Sequence, residues 1–241
     1  MDMGELDTAA SCFRSAYNVR LADTPSLVRE AFRLRHQVYC RERGYEPDRG
    51  GLETDEFDGH ARHAVVCNQR NGEVVGTVRL ILPITKKARS LPMHQICQTR
   101  LLDGLPAATT GEVSRFAVSR ERRSSGTAAD PLLRLGLVQG LVRMSRDAGV
   151  THWCAVLERS LLRLLRMTAI HFLPVGPCVE FHGLRQPAVA HVGGLMARME
   201  QEQPAVWSFV TDGGRHWPRA LQYSAAAQCL SAISLIVCRV L

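Results

Sequence analysis

Glu112-Val113-Ser114-Arg115-Phe116-Ala117-Val118 is the stretch on which the reading of this chain turns. A β-strand presents side chains with a period of two. Glu112 and Ser114 are therefore expected on one face and Arg115 on the other. A carboxylate and a guanidinium in the middle of an apolar strand are costly unless paired. Arg79 poses the same problem inside the apolar run from Val74 to Leu82, and Arg35 poses it on a helix, one turn before Tyr39. The segment between them holds Glu53, Asp55, Glu56 and Asp58. Asp55 or Asp58 is expected within ion-pair reach of Arg35, Arg79 or Arg115. Two roles compete for such a cluster: an ion-pair network that pins a long loop, or a polar substrate cleft with a strand carboxylate as general base.

Working outward, Thr24-Pro25 reads as a helix N-cap followed by proline. Leu27, Ala31, Leu34 and Val38 then repeat with helical spacing to about Arg41. Residues 43–60 form a long loop, a kind that is more often functional than ornamental. Ala64 to Cys67 and Val74 to Leu82 read as strands joined around Asn71-Gly72, a strong hairpin signal. Residues 83–110 are irregular, and Glu112 to Ser119 is the next strand. A helix follows from Asp130-Pro131 to Ala148, then a strand from His152 to Leu157, a helix from Ser160 to His171 and a strand from Val175 to Phe181. After these come a mixed segment, a turn at Asp212-Gly213-Gly214 and an apolar tail. Such alternation implies one mixed sheet with helices packed on it, the strands 112–119 and 152–157 lying side by side and diverging at one end. The expected layout is an N-terminal extension (1–20), one domain (21–218) and the tail (219–241).

The loop after the Glu112 strand carries Arg120, Arg122, Arg123 and Gly126, and residues 123–128 fit the pattern Arg/Gln-x-x-Gly-x-Gly/Ala. Placed between a strand and a helix, such a loop can turn its amides toward a pyrophosphate or a phosphopantetheine phosphate. A solvated basic loop is the plainer reading.

The 241 residues are 46% hydrophobic and 22% charged, which supports a packed core and argues against disorder. The net charge of +7 requires an acidic partner to be considered. A nucleic-acid role is not expected, because the arginines are scattered and no recognition motif is present. The eight cysteines lie singly, and none of the nine histidines falls into an H-x-x-x-H or H-E-x-x-H pair, so no metal site is expected. Cys154 reads as a core residue. Met1-Asp2-Met3-Gly4-Glu5 lacks the basic and apolar regions of a secretion signal, so a cytoplasmic protein with reduced thiols is expected. The tail from Ser224 to Leu241 is short for a membrane span and interrupted by Gln228, leaving at most a weak membrane contact.

Taken in order, Arg33-Leu34-Arg35-His36-Gln37-Val38-Tyr39, Glu53-Thr54-Asp55-Glu56-Phe57-Asp58, Gly76-Thr77-Val78-Arg79-Leu80 and Glu112 to Val118 resemble the signature of acyl-homoserine-lactone (autoinducer) synthases. Tyr39 and Tyr45 stand where that family usually has Phe and Trp. Tyr39-Cys40-Arg41-Glu42-Arg43-Gly44-Tyr45, Thr151-His152-Trp153, Gly176-Pro177 and Phe181-His182-Gly183 are similar to the PEP-CTERM/exosortase system-associated acyltransferases, relatives of the N-acyl amino acid synthases.

The resemblance implies an α/β (α+β) protein with the GNAT-like acyl-CoA N-acyltransferase fold, a mixed and mostly antiparallel sheet flanked by helices. It also implies an enzyme that moves a fatty acyl group from acyl carrier protein or coenzyme A to an amine acceptor such as an amino acid. No tightly bound cofactor is implied. Glu112 would act as base beside Ser114. Arg35, Tyr39, Tyr45, Asp55, Asp58, Arg79 and Arg115 would bind substrate, and Arg120, Arg122, Arg123 and Gly126 the phosphopantetheine phosphate. Two alternatives stand beside this one: a lactone synthase using S-adenosylmethionine, and a non-catalytic acyl-ligand sensor on the same fold.

Overall fold

The computed structural model describes residues 3–48, 50–84, 90–97, 102–122 and 132–221. In chain order its elements are α1 (Met3–Ala16), β1 (Tyr17–Leu21), α2 (Pro25–His36), β2 (Ala61–Asn68), β3 (Val74–Ile81), α3 (Met93–Ile96) and β4 (Thr110–Val118). There follow α4 (Leu132–Ala148), β5 (His152–Glu158), α5 (Arg159–Arg166), β6 (Leu173–Pro174), β7 (Val179–Glu180), β8 (Leu184–His191), α6 (Val192–Glu202) and α7 (Pro204–Thr211). Two compact units divide the chain, one from residues 1–80 and 113–144, the other from 81–112 and 145–241.

In the first unit the strand order is β1, β2, β3, β4. β1 pairs antiparallel with β2, Val19 opposite Val66, so part of the stretch read as an N-terminal extension is a strand of the sheet. α1 packs there too, with Leu6, Ala10 and Phe13 buried. α2 starts as its sequence requires: the Thr24 hydroxyl accepts the Leu27 N–H at 3.3 Å, with Pro25 behind the cap. Leu27, Ala31, Leu34 and Val38 bury against Val65, Cys67, Val74 and Ala117. The helix then widens into a π-helical turn over Gln37–Glu42, a local form found frequently at functional sites. The β2–β3 connection turns at Gly72, whose φ of +72° suits glycine. α4 comes close to the sheet through glycines: a methyl at Gly140 would stand 2.4 Å from the Ala64 Cβ.

In the second unit Thr110, Gly111 and Glu112 of β4 pair in parallel with His152, Trp153 and Cys154. The expected side-by-side placement of these strands is present over those three pairs. β5 continues antiparallel with β8 as far as Glu158 opposite Arg185. β6 and β7 also pair with β8. The Trp153 indole N–H donates to the Ser145 hydroxyl at 2.8 Å, tying β5 to the end of α4.

Three expectations need correction. α5 ends at Arg166, not His171, because Ala169 takes a φ of +58° and the Ile170 N–H closes back on the Leu165 carbonyl at 3.0 Å. The strand read over Val175 to Phe181 is reduced to β7 (Val179–Glu180), and β6 (Leu173–Pro174) lies before it, the two separated by the bend at Gly176-Pro177. The mixed segment holds β8, α6 and α7, followed by the expected turn at Asp212, Gly213 and Gly214, all with positive φ. The six cysteines among the described residues are free, and Cys154 is fully buried, as read from its strand. No helix among the described residues is long and apolar enough to cross a membrane. Residues 222–241 of the tail lie outside the described residues.

Candidate active site

The acidic loop is held in a shape that points its carboxylates inward. Asp55 and Asp58 cap a short 3-10 turn reciprocally: Asp55 accepts from the Phe57 N–H at 3.0 Å, and Asp58 from the Asp55 N–H at 2.8 Å. Their remaining oxygens meet arginines. Arg79 on β3 donates to Asp55 at 2.6 and 2.9 Å and to Asp58 at 2.7 Å. Arg35 on α2 grips Asp58 with both terminal nitrogens, at 2.7 and 3.1 Å, while its Nε donates to Glu53. Arg115 on β4 donates to Glu53 at 2.7 Å and to Asp55 at 3.1 Å. Three guanidiniums thus face three carboxylates, and the expected cluster is present.

Glu53, one of the four loop acids expected to meet the arginines, was not among the expected substrate-binding residues, yet it takes the central place. It is 7% exposed and bridges Arg35, itself 0% exposed, to Arg115. Gly50 and Gly51 precede it with φ of +93° and +86°, and its own N–H is tied to the Phe32 carbonyl at 3.2 Å.

The faces of β4 also need correction. Ser114 accepts from the Arg79 Nε at 3.0 Å, and Arg115 reaches Asp55, which Arg79 also holds, so neighbouring side chains converge on one network. Arg115 has a φ of +50°, an unusual conformation for a residue with a Cβ. That kink breaks the period of two. Strain of this kind costs on the order of 1–3 kcal/mol and persists only where the surroundings enforce it. Here a double grip on Glu53 and the ring of Tyr39, 5.4 Å below the guanidinium, do so.

The electrostatics follow from burial set against pairing. Burial alone would raise the Glu53 and Asp58 carboxyls, but the hydrogen bonds and charges of the arginines outweigh it and hold both below the usual range. These groups are poor proton acceptors at neutral pH. Burial raises the Tyr39 hydroxyl, opposed by Arg115 and Arg35.

His63 on β2 lies beside the cluster, its Nε2 3.7 Å from Asp58 and its ring edge-on to Phe32. Its Nδ1 is buried without a hydrogen-bond partner. Burial, reinforced by Arg35, lowers it to about 4. The unfolded chain accepts this proton near pH 6.5 and the folded one does not, so stability falls as pH drops from about 6.5 toward 4. For a side chain only 4% exposed this shift is worth about 3 kcal/mol. His152 is lowered in the same window, to about 4, by burial and by His191. Urea unfolding across this range should show the decline, and His63→Leu should flatten roughly half of it.

Glu112 lies in the second unit, 3% exposed, with its carboxylate accepting the Met93 N–H at 2.7 Å. Cys97 and Cys154 are close enough to feel its charge. Burial, then Glu112, pushes the Cys97 thiol up to about 11. Tyr45 is engaged by Arg43, 5.5 Å over its ring.

In the loop expected to hold a phosphate, the Glu42 carboxylate takes the Ser119 hydroxyl at 2.5 Å and the Arg120 N–H at 3.0 Å. The Arg122 guanidinium turns to the Val74 carbonyl at 3.3 Å and to Glu73 at 3.5 Å. Arg120 is exposed, while Arg123 and Gly126 lie outside the described residues. Among the described residues, no three of His, Cys, Asp and Glu converge as a metal ion would require.

Residues 34–130 match the acetyltransferase (GNAT) domain family. Among solved structures, the acyl-homoserine-lactone synthase LasI aligns over 72% of this chain and 88% of its own, with 20% identity and a TM-score of 0.56. FeeM, an N-acyl amino acid synthase from uncultured soil microbes, aligns over 78% of this chain and 97% of its own, with 16% identity and a TM-score of 0.58. BjaI, a CoA-dependent acyl-homoserine lactone synthase, aligns over 82% and 88%, with 20% identity and a TM-score of 0.57. No curated protein sequence matches the chain significantly. The mixed sheet, the helices on it and the match of residues 34–130 agree: this chain has the GNAT fold.

Proposed function

We propose that the chain is an N-acyltransferase that moves a fatty acyl group from a thioester, on acyl carrier protein or coenzyme A, to an amine. The observation that carries this reading is Glu112, a carboxylate 3% exposed on β4, within the stretch that matches the acetyltransferase (GNAT) domain family. Similarity of fold to FeeM, an N-acyl amino acid synthase, and to the synthases LasI and BjaI supports it. The lactone-synthase and sensor readings have no observation of their own in this structure.

The amine nitrogen attacks the thioester carbonyl directly, and the carbonyl oxygen takes the negative charge. A backbone amide on the strands would stabilise it. Glu112 accepts the amine proton through a water. The C–N bond is then in place, the C–S bond breaks as the carbonyl re-forms, and the departing thiolate takes the proton that Glu112 accepted. Ser114, whose oxygen is held by Arg79, keeps its own proton free to donate to the acceptor. Arg35, Asp55, Asp58, Arg79 and Arg115 keep the 53–58 loop in one shape for an acceptor that carries a carboxylate, with Tyr39 and Tyr45 beside it. The loop of Arg120, Arg122, Arg123 and Gly126 would take the phosphopantetheine phosphate. Arg122 contributes less than the sequence implied, being turned toward Glu73.

The test is turnover with long-chain acyl carrier protein and acyl-coenzyme A as donors and mixed amino acids as acceptors, read by thiol release and mass spectrometry. Glu112→Gln keeps an acceptor for the Met93 N–H and should lower kcat by about 100-fold or more. Full turnover in this variant, or no acyl transfer by the unaltered protein to any amine, would overturn the assignment.

A further inference from the structure

We propose that the groove along α5 is a binding site for a phosphate-bearing anion. α5 reads Arg159-Ser160-Leu161-Leu162-Arg163-Leu164-Leu165-Arg166, and its arginines repeat at spacings of four and three, which places them on one face. All three are exposed, and none makes an ion pair or a side-chain hydrogen bond with another described residue. They stand apart from Arg146, Arg185, Arg198, Arg215 and Arg219 of the same unit, each of which holds a carboxylate.

The three arginines line a groove of about 360 Å³, with Phe172, Pro174 and Gln186 also in its wall. Among the described residues, no carboxylate lines it. His171, at its edge, is already engaged with Glu202 at 3.0 Å.

The helix bears this arrangement against its own interest. Arg159 is the first residue of α5, the end where the helix dipole disfavours a cation. Arg159 and Arg163 form a like-charged i,i+4 pair, and Arg163 and Arg166 an i,i+3 pair, both mildly destabilising. A local conflict without internal compensation is characteristic of functional sites.

An anion in the groove removes the conflict. Guanidinium forks match phosphate oxygens bidentately, and three within about two helical turns suit a phosphate group of more than one charge. The volume accommodates a small head group, and the Phe172 ring offers an apolar wall for its organic part. A soluble phosphate compound and a phospholipid head group share this chemistry. The site stands whether or not the chain transfers acyl groups, so its test reads binding, not turnover.

The test uses the full chain at fixed ionic strength. Inorganic pyrophosphate is titrated calorimetrically, and retention is measured on phosphatidylglycerol vesicles against phosphatidylcholine vesicles. The double variant Arg163→Gln/Arg166→Gln should weaken binding at least tenfold, while Arg198→Gln, on α6, should leave it unchanged. A tenfold loss with pyrophosphate supports the site with a soluble ligand. A tenfold loss only with phosphatidylglycerol supports it with a lipid head group. Arg159→Gln should reproduce the loss singly if the double variant is misfolded. Absence of binding to both probes, or binding unaltered in these variants, overturns the proposal.

Discussion

Glu53→Ala is expected to cost about 3–5 kcal/mol of stability, the scale for removing one partner of a buried ion pair. The loss is not that of one contact. Arg35 is 0% exposed and retains Asp58, but its Nε then points at nothing, and Arg115 loses its principal carboxylate while still in a strained conformation. Glu53→Gln should lie between alanine and the native residue, since the amide oxygen can accept from one arginine without balancing its charge. Urea midpoints of the two variants measure this. A double variant with Arg115→Leu should be less damaged than the two single changes summed, because each partner is harmful mainly when left alone. A loss below about 1 kcal/mol in Glu53→Ala would show the network to be a surface feature worth little.

Gly140→Val is expected to be comparably harmful, at or above the upper end of the roughly 1–3 kcal/mol typical of overpacking. A Cβ at Gly140 would stand 2.4 Å from the Ala64 Cβ and 3.6 Å from a Val19 methyl. Ala64 has no rotatable side chain with which to yield, so helix or strand backbone must shift. Gly140→Ala isolates the conflict: intrinsic helix preference favours the change by about 1 kcal/mol, yet the clash should still make it a net loss. Ala64→Gly in the same chain should recover most of that loss. If Gly140→Ala melts at or above the native temperature, α4 does not pack on β2 as described.

The ion cluster was legible because buried charge is self-announcing. Arg79 in an apolar strand and Arg115 in another can be explained only by carboxylates, and the loop at 53–58 held them. Which carboxylate took the central place was not legible, since Glu53, Asp55 and Asp58 are chemically near-equivalent until the turn geometry sorts them. The opposed faces of Ser114 and Arg115 were misread for a related reason: a strand period assumes regular dihedrals, and Arg115 departs from them.

In the second unit, β8 escaped notice because Pro187 interrupts its pattern, and proline ordinarily argues against a strand interior. It is accommodated opposite Val156, where its carbonyl still accepts from the Val175 N–H at 2.9 Å. α6 hid behind an unusual cap. His191, not Ser, Thr, Asp or Asn, takes the Gly194 N–H with its ring nitrogen at 3.0 Å. The α4 glycines were visible as letters but not as a packing surface, because nothing local says what a helix will face.

The carboxylates and arginines that meet at the acidic loop are far apart along the chain: Glu53 and Arg115 by 62 residues, Arg79 and Ser114 by 35. Contacts of such reach reward the chain only after the intervening segments have been gathered, so they belong late in the order of assembly. The α2 helix and the β2–β3 hairpin, which close over short separations, can precede them. Damage to the cluster should then fall on the rate at which the protein opens more than on the rate at which it forms. The loop between residues 43 and 60 thus works as a latch set from inside, and Arg35, Arg79 and Arg115, which hold it from α2, β3 and β4, govern how long the folded state persists.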